Sequence, residues 1–188
     1  MIKILNILFV TMFGLGKLPK IPGTFGSLAT IIILYILFHI LNLSSNLILI
    51  CLIIVFIFSF SAVTNHIKDS ENKDPKEVII DEFIGQSIPI YLYEISHGTE
   101  KSADEAIIFY TVCFVLFRFF DIAKPFPVNY FDKKFKNSFG VIMDDVCAGF
   151  YVVLSLIWVA TAKNEKIKII IKPINIKFEG MFSIWKKI

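Results

Sequence analysis

The chain has 188 residues, of which 56% are apolar and 19% charged, with a formal net charge of +3 and a mean hydropathy of +0.72. Intrinsic disorder is excluded, because such chains are poor in apolar residues and dominated by charge. One soluble domain of this length has too little interior to hide so much apolar surface, so the composition places the chain in a membrane.

Met1–Phe13 is apolar but carries Lys3 and lacks a small-residue cleavage site, which predicts an interfacial or re-entrant helix rather than a signal peptide. From Ile21 to Ile67 there is no Asp, Glu, Lys or Arg, and the stretch is interrupted once, by the polar turn Asn42–Asn46. Because crossing the hydrocarbon takes about 17–20 residues, Leu28–Leu41 and Leu47–Val63 with their flanks predict a tight hairpin of membrane helices. Phe83–Tyr93 is uncharged, short and contains Pro89; Ala106–Phe120 is uncharged until Arg118; Val146–Ala162 is an uninterrupted apolar run. These supply a third, fourth and fifth span. The expected fold is all-α, a multi-helical integral membrane protein with about four to five apolar helices. Residues 1–162 form the membrane-embedded domain, and 163–188 a basic tail that is either a short strand or a surface-lying amphipathic piece.

If the spans alternate, Pro19–Ser27, Thr64–Glu82 and Asp121–Asp145 are loops on one face. They hold Lys17, Lys20, Lys68, Lys73, Lys76, Lys124, Lys133, Lys134 and Lys136, whereas the opposite loops hold only Lys101. The positive-inside rule makes the lysine-rich face cytoplasmic. The tail opposes this assignment, since its seven lysines would fall outside after five spans.

Eighteen of the 19 basic residues are lysine in a sequence rich in Ile, Phe and Asn. That is a nucleotide-composition bias, and no basic run alternates with stacking aromatics, so no nucleic-acid partner is expected. Arg118 is the only arginine. Its fork suits two-point binding of a planar oxyanion, with chance as the competing explanation. Cys51, Cys113 and Cys147 lie in apolar stretches without a C-x-x-C and read as buried thiols. His39, His66 and His97 have no metal-ligand partner at useful spacing.

Four polar constellations flank the spans. Gly14–Ser27 is glycine-rich and offers Thr24 and Ser27 hydroxyls just before a helix, either as an anion-binding turn or as a plain cap; it lacks the ending of a Walker loop. Asp81-Glu82 is either a dipole-favoured first turn or a hard-oxygen site for Mg²⁺. Arg118 and Asp121, three apart, share a helix face and can pair, while Pro125 pushes Lys124 out of helical geometry. Asp144-Asp145 opens an otherwise apolar span. Each acid at mid-membrane would cost about 2.5–3.5 kcal/mol, so the pair sits at the interface or is bound to a cation. Carboxylates that suit Mg²⁺ beside cations that suit phosphate are the components of phosphoryl chemistry, and a site at the lipid surface points to a phospholipid substrate.

Four stretches, in order, resemble the bacterial phosphatidylglycerophosphatase A family: Gly14-Leu15-Gly16 with Pro22–Leu28, Asp81-Glu82-Phe83-Ile84-Gly85-Gln86, Phe117–Pro127, and Met143–Gly149. Ile21 and Ser138-Phe139 depart from the family pattern. The resemblance implies a multi-pass protein of the bacterial cytoplasmic (inner) membrane with its site facing the cytoplasm. It further implies Mg²⁺-dependent hydrolysis of phosphatidylglycerophosphate to phosphatidylglycerol and phosphate, in glycerophospholipid biosynthesis. Asp81, Glu82, Asp144 and Asp145 would hold Mg²⁺; Arg118 and Lys124 would hold the phosphate, with Thr24 and Ser27 adding donors. Asp121 would orient Arg118 or take a proton from water. Arg118, Asp121, Lys124 and Asp145 form the expected catalytic group. The competing reading is a scaffold or transport subunit without catalysis, and the oligomeric state is left open.

Overall fold

A computed structural model describes residues 2–68, 72, 75–97 and 103–161. The C-terminal tail, Lys73 and Lys101 lie outside the described residues. Among those described there are helices and no strand: α1 (Ile2–Val10), α2 (Pro22–Tyr35), α3 (Ser45–Ile67), α4 (Ile80–His97), α5 (Ala103–Ala123), α6 (Val128–Lys134) and α7 (Ser138–Thr161). A π-helical turn, Ile36–Ile40, prolongs α2.

Four stretches are long and apolar enough to cross a membrane: Pro22–Ile40, Ser45–Ile67, Asp104–Ala123 and Ser138–Ala160. At 1.5 Å per residue each reaches roughly 28–35 Å, the thickness of the hydrocarbon. The outer faces are apolar. On α3, Ile50, Ile53, Ile54 and Ile57 form one exposed stripe at helical spacing.

The fifth long helix, α4, occupies the middle of the bundle. It packs on α7 above all, and also on α2, α3 and α5. This position explains why the third apolar segment is short in sequence. A helix walled in by protein need not be apolar toward lipid, and α4 carries Asp81, Glu82 and Glu94. Pro89 has no N–H to give the Gly85 carbonyl. Gly149 of α7 backs onto that oxygen so closely that a Cβ there would collide with it.

Helix direction follows from the contacts. Gly23 at the start of α2 adjoins Glu82 at the start of α4 and Arg118 near the end of α5. Thr64 near the end of α3 bonds Ser138 at the start of α7, with 2.6 Å between hydroxyls. Thus α2, α4 and α7 begin at one end of the bundle, and α3 and α5 finish there. This is the alternation expected from the sequence, and it collects residues 81–82, 118–124 and 144–145 at the same end. The short α1, about 13 Å long, lies along α3. Asn6 Nδ2 donates to Ala62 O (3.0 Å), and Phe9 meets Phe58 edge-on at 4.9 Å. Too short to cross, α1 agrees with an interfacial role.

Two loop assignments are corrected. Pro22–Ser27 is the first turn and a half of α2, with Pro22 at a position where its missing N–H costs nothing. Residues 121–145 are also largely helical, being made of α6 and the start of α7, so Asp144 and Asp145 sit nearly two turns inside α7 rather than at its tip.

Candidate active site

The glycines of the first constellation serve close approach. A Cβ on Gly23 would collide with Glu82 Oε1 and lie 3.1 Å from an Arg118 terminal nitrogen. One on Gly26 would press on Ile79 at 3.0 Å. Gly14, at φ +94, is the exception that serves a turn, since that left-handed conformation is costly for other residues. On α4, a Cβ at Gly85 would strike the backbone carbonyl of Asp145. Small residues therefore let α2 and α7 close on α4 near its acidic start.

Asp81 and Glu82 from α4 and Asp145 from α7 come together, each offering an oxygen within 4.8 Å of the others. Asp81 and Asp145 are buried. Asp81 Oδ1, Glu82 Oε2 and Asp145 Oδ1 have no hydrogen-bond partner among the described residues. At 4.8 Å and an effective dielectric of about 20, two like charges repel by roughly 3–4 kcal/mol. Three such pairs approach the whole stability of a typical domain. The arrangement persists only if protons or a cation neutralise it, and hard carboxylate oxygens at this spacing suit a small divalent ion.

Beside the trio, Arg118 pairs with Asp121 at 2.7 Å, as the three-residue spacing predicts, and reaches Ser27 Oγ at 3.5 Å. Ser27 in turn donates to Gly23 O at 3.0 Å. Arg118 Nε is buried without a partner, so part of the guanidinium fork is unused. Thr24 is half-buried in the first turn of α2, one residue from Gly23.

Lys124 ends α5 at φ +44, left-handed and so outside the helix, as the following proline predicts. Its Nζ lies 2.9 Å from both Asp132 Oδ1 of α6 and Asp144 Oδ2 of α7. Burial pulls the ammonium pKa down, but Asp144 and Asp132 outweigh it and hold Lys124 above the ordinary lysine range. The two acids of α7 thus take different parts: Asp145 joins Asp81 and Glu82, and Asp144 faces Lys124. Asp132 is a member of the site that the sequence reading missed, because nothing near it in sequence marks a partner for Lys124.

Two of the three histidines have acidic partners among the described residues. His39 Nε2 lies 3.2 Å from Glu94 Oε1, and Tyr110 donates to the same oxygen at 3.0 Å. His66 Nε2 is 2.9 Å from Glu77.

Fold and site together describe a multi-helix membrane protein in which a buried acidic cluster, flanked by fixed cations, occupies one end of the bundle. The chain belongs to the phosphatidylglycerophosphatase A family, whose model matches residues 8–160. It is 35% identical over 142 residues to "Phosphatidylglycerophosphatase A" of Haemophilus influenzae, covering 76% of this chain and 80% of that protein. It is 34% identical over 160 residues to a Bacteroides thetaiotaomicron protein named "Putative phosphatidylinositol-3-phosphatase", covering 85% and 94%. The "Phosphatidylglycerophosphatase A" of Escherichia coli is 29% identical over 137 residues, 73% of each chain. No solved structure matches.

Proposed function

We propose that this protein hydrolyses the phosphomonoester of phosphatidylglycerophosphate, releasing phosphatidylglycerol and inorganic phosphate, as a Mg²⁺-dependent step of glycerophospholipid biosynthesis. The observation that carries the reading is the cluster of Asp81, Glu82 and Asp145, each with one buried oxygen lacking a partner among the described residues, beside the half-used fork of Arg118. Family membership and the names of two relatives support the choice of lipid. The lysines at the site end, among them Lys17, Lys20, Lys133, Lys134 and Lys136, support a site facing the cytoplasm across the inner membrane.

The donor set fits Mg²⁺. Asp81, Glu82 and Asp145 would hold the ion, which when bound would bring positive charge to the phosphate oxygens and lower the pKa of nearby water. The chain's own residues do the remaining work. Arg118 offers Nε and a terminal nitrogen to the phosphoryl oxygens, and Asp121 and Ser27 hold it in register. Lys124 adds a second positive charge at the α7 side of the site, fixed between Asp132 and Asp144. A preorganised cation of this kind acts most strongly where water is excluded.

The test is phosphate release by the purified chain in mixed micelles from phosphatidylglycerophosphate, phosphatidic acid and phosphatidylinositol 3-phosphate, with Mg²⁺ and with EDTA. Preferred turnover of phosphatidylglycerophosphate, abolished by EDTA and by Asp145→Asn, is the expected result. Preference for the inositol lipid would move the assignment toward the name of the Bacteroides relative. Absence of release from all three would favour a scaffold or transport subunit.

A further inference from the structure

The unpaired polar atoms of the buried interior are not scattered. Besides those of Asp81, Glu82, Arg118 and Asp145, they are Nε2 and Oε1 of Gln86. Gln86 is fully buried, and neither end of its amide meets a partner among the described residues. Leaving a buried amide unmatched costs stability at each of its ends, and a leucine or methionine of similar size would incur none of it. Gln86 follows Glu82 by four residues on the same side of α4. Long side chains on a helix lean back toward its N-terminus. Register and lean therefore put the Gln86 amide on the Glu82 side of α4, one turn deeper in the bundle.

The orphaned amide asks for two kinds of partner: an acceptor for its NH₂ and a donor for its carbonyl. The surrounding carboxylates supply acceptors only. A phosphoryl oxygen and a water molecule, side by side, match both ends. Displacement at phosphorus runs in line, with the nucleophile opposite the leaving group. The attacking water must therefore stand opposite the lipid alkoxide, held by a group that can accept from it, and the Gln86 amide is the neutral buried group beside the trio with an acceptor to spare. We infer that Gln86 positions the attacking water, its Oε1 accepting a hydrogen bond from that water and its Nε2 donating to a phosphoryl oxygen. The inference rests on the phosphatase reading above.

In the step itself the water oxygen bonds to phosphorus, and the ester P–O bond breaks with its electron pair leaving on the lipid alkoxide. One water proton stays on the new P–OH; a site carboxylate carries the other to the alkoxide. Hydrogen phosphate and the lipid alcohol result. The amide neither gains nor loses a proton, so Gln86 acts by position alone.

The experiment compares the wild-type chain with Gln86→Leu and Gln86→Met in mixed micelles containing Mg²⁺. It measures kcat and KM for phosphatidylglycerophosphate, inhibition by inorganic phosphate, and the unfolding temperature. The expected result is a fall in kcat of about 100-fold or more, with KM raised, and phosphate inhibition weakened, by no more than about tenfold. The unfolding temperature should be equal or higher, because an apolar side chain leaves nothing unmatched. A variant with wild-type kcat beside an active wild type overturns the inference and leaves the phosphatase reading standing. So does a lowered unfolding temperature in both variants, or failure of both to fold, since either would make the amide a structural element. A wild type inactive on every lipid phosphomonoester overturns the phosphatase reading first and this inference with it.

Discussion

The two ends of α4 carry buried acids in opposite circumstances. At the far end, Glu94 accepts from Tyr110 and faces His39. At the near end, Asp81, Glu82 and Asp145 crowd together with oxygens left over. The first arrangement ties α2, α4 and α5 together and is complete as it stands. The second raises the energy of the folded chain until something binds. A buried carboxylate is therefore no guide to function by itself; whether its oxygens are satisfied is the distinction that matters.

Substitution at the near end should give the largest contrast. Asp145→Asn is expected to reduce phosphate release at least 1,000-fold and, without divalent cation, to raise the unfolding temperature by relieving repulsion. Micelle assays paired with thermal melts would show both, and a fall in stability would make Asp145 a structural residue like Glu94. Next in size, Arg118→Lys keeps the charge but loses the fork. We expect kcat/KM to drop about 100-fold, read by steady-state kinetics, and a near-normal value would mean that simple charge suffices.

The far end should behave in reverse. Glu94→Gln is expected to cost about 1–3 kcal/mol of stability while leaving kcat within about threefold, by denaturant titration beside the phosphate assay. The smallest effect belongs to Asp132→Asn. The Lys124 bridges are part-exposed, so the stability cost stays below about 1 kcal/mol, with turnover reduced about threefold to tenfold. The folded state holds the Lys124 pKa above its ordinary range. The bridges therefore stabilise fully below that ordinary value and weaken only as pH climbs through the raised one. Stability measured from pH 6 to 9 should show no limb from Lys124.

Much of this architecture was legible in the chain. The charge-free run from Ile21 to Ile67, the later apolar segments and the one-sided lysines anticipate helices alternating in direction with their polar ends together. The pairing of Arg118 with Asp121 was readable because helix periodicity is local. What escaped depends on distant neighbours. The glycines at 23 and 26 look like a turn until Glu82 of α4 and Ile79 just before it are seen against them. His39 looked idle because Glu94 is 55 residues away. Asp144 and Asp145 are adjacent and read as one pair, yet α7 points one at Lys124 and leaves the other to α4. Phe83–Tyr93 reads as a short third span, yet α4 is not among the four helices apolar enough to cross, because the sequence does not say which helix will be shielded from lipid.

The unequal count of helix directions has an electrical consequence. Three long helices start at the acidic end and two finish there, so the backbone dipoles do not cancel. One helix's worth survives, equivalent to about half a positive charge at that end. The peptide scaffold is thus polarised along the bundle axis by its backbone alone, an effect that salt screens at the exposed helix ends. That standing field offsets a fraction of the acidic crowd and draws polyanionic headgroups toward the same pole.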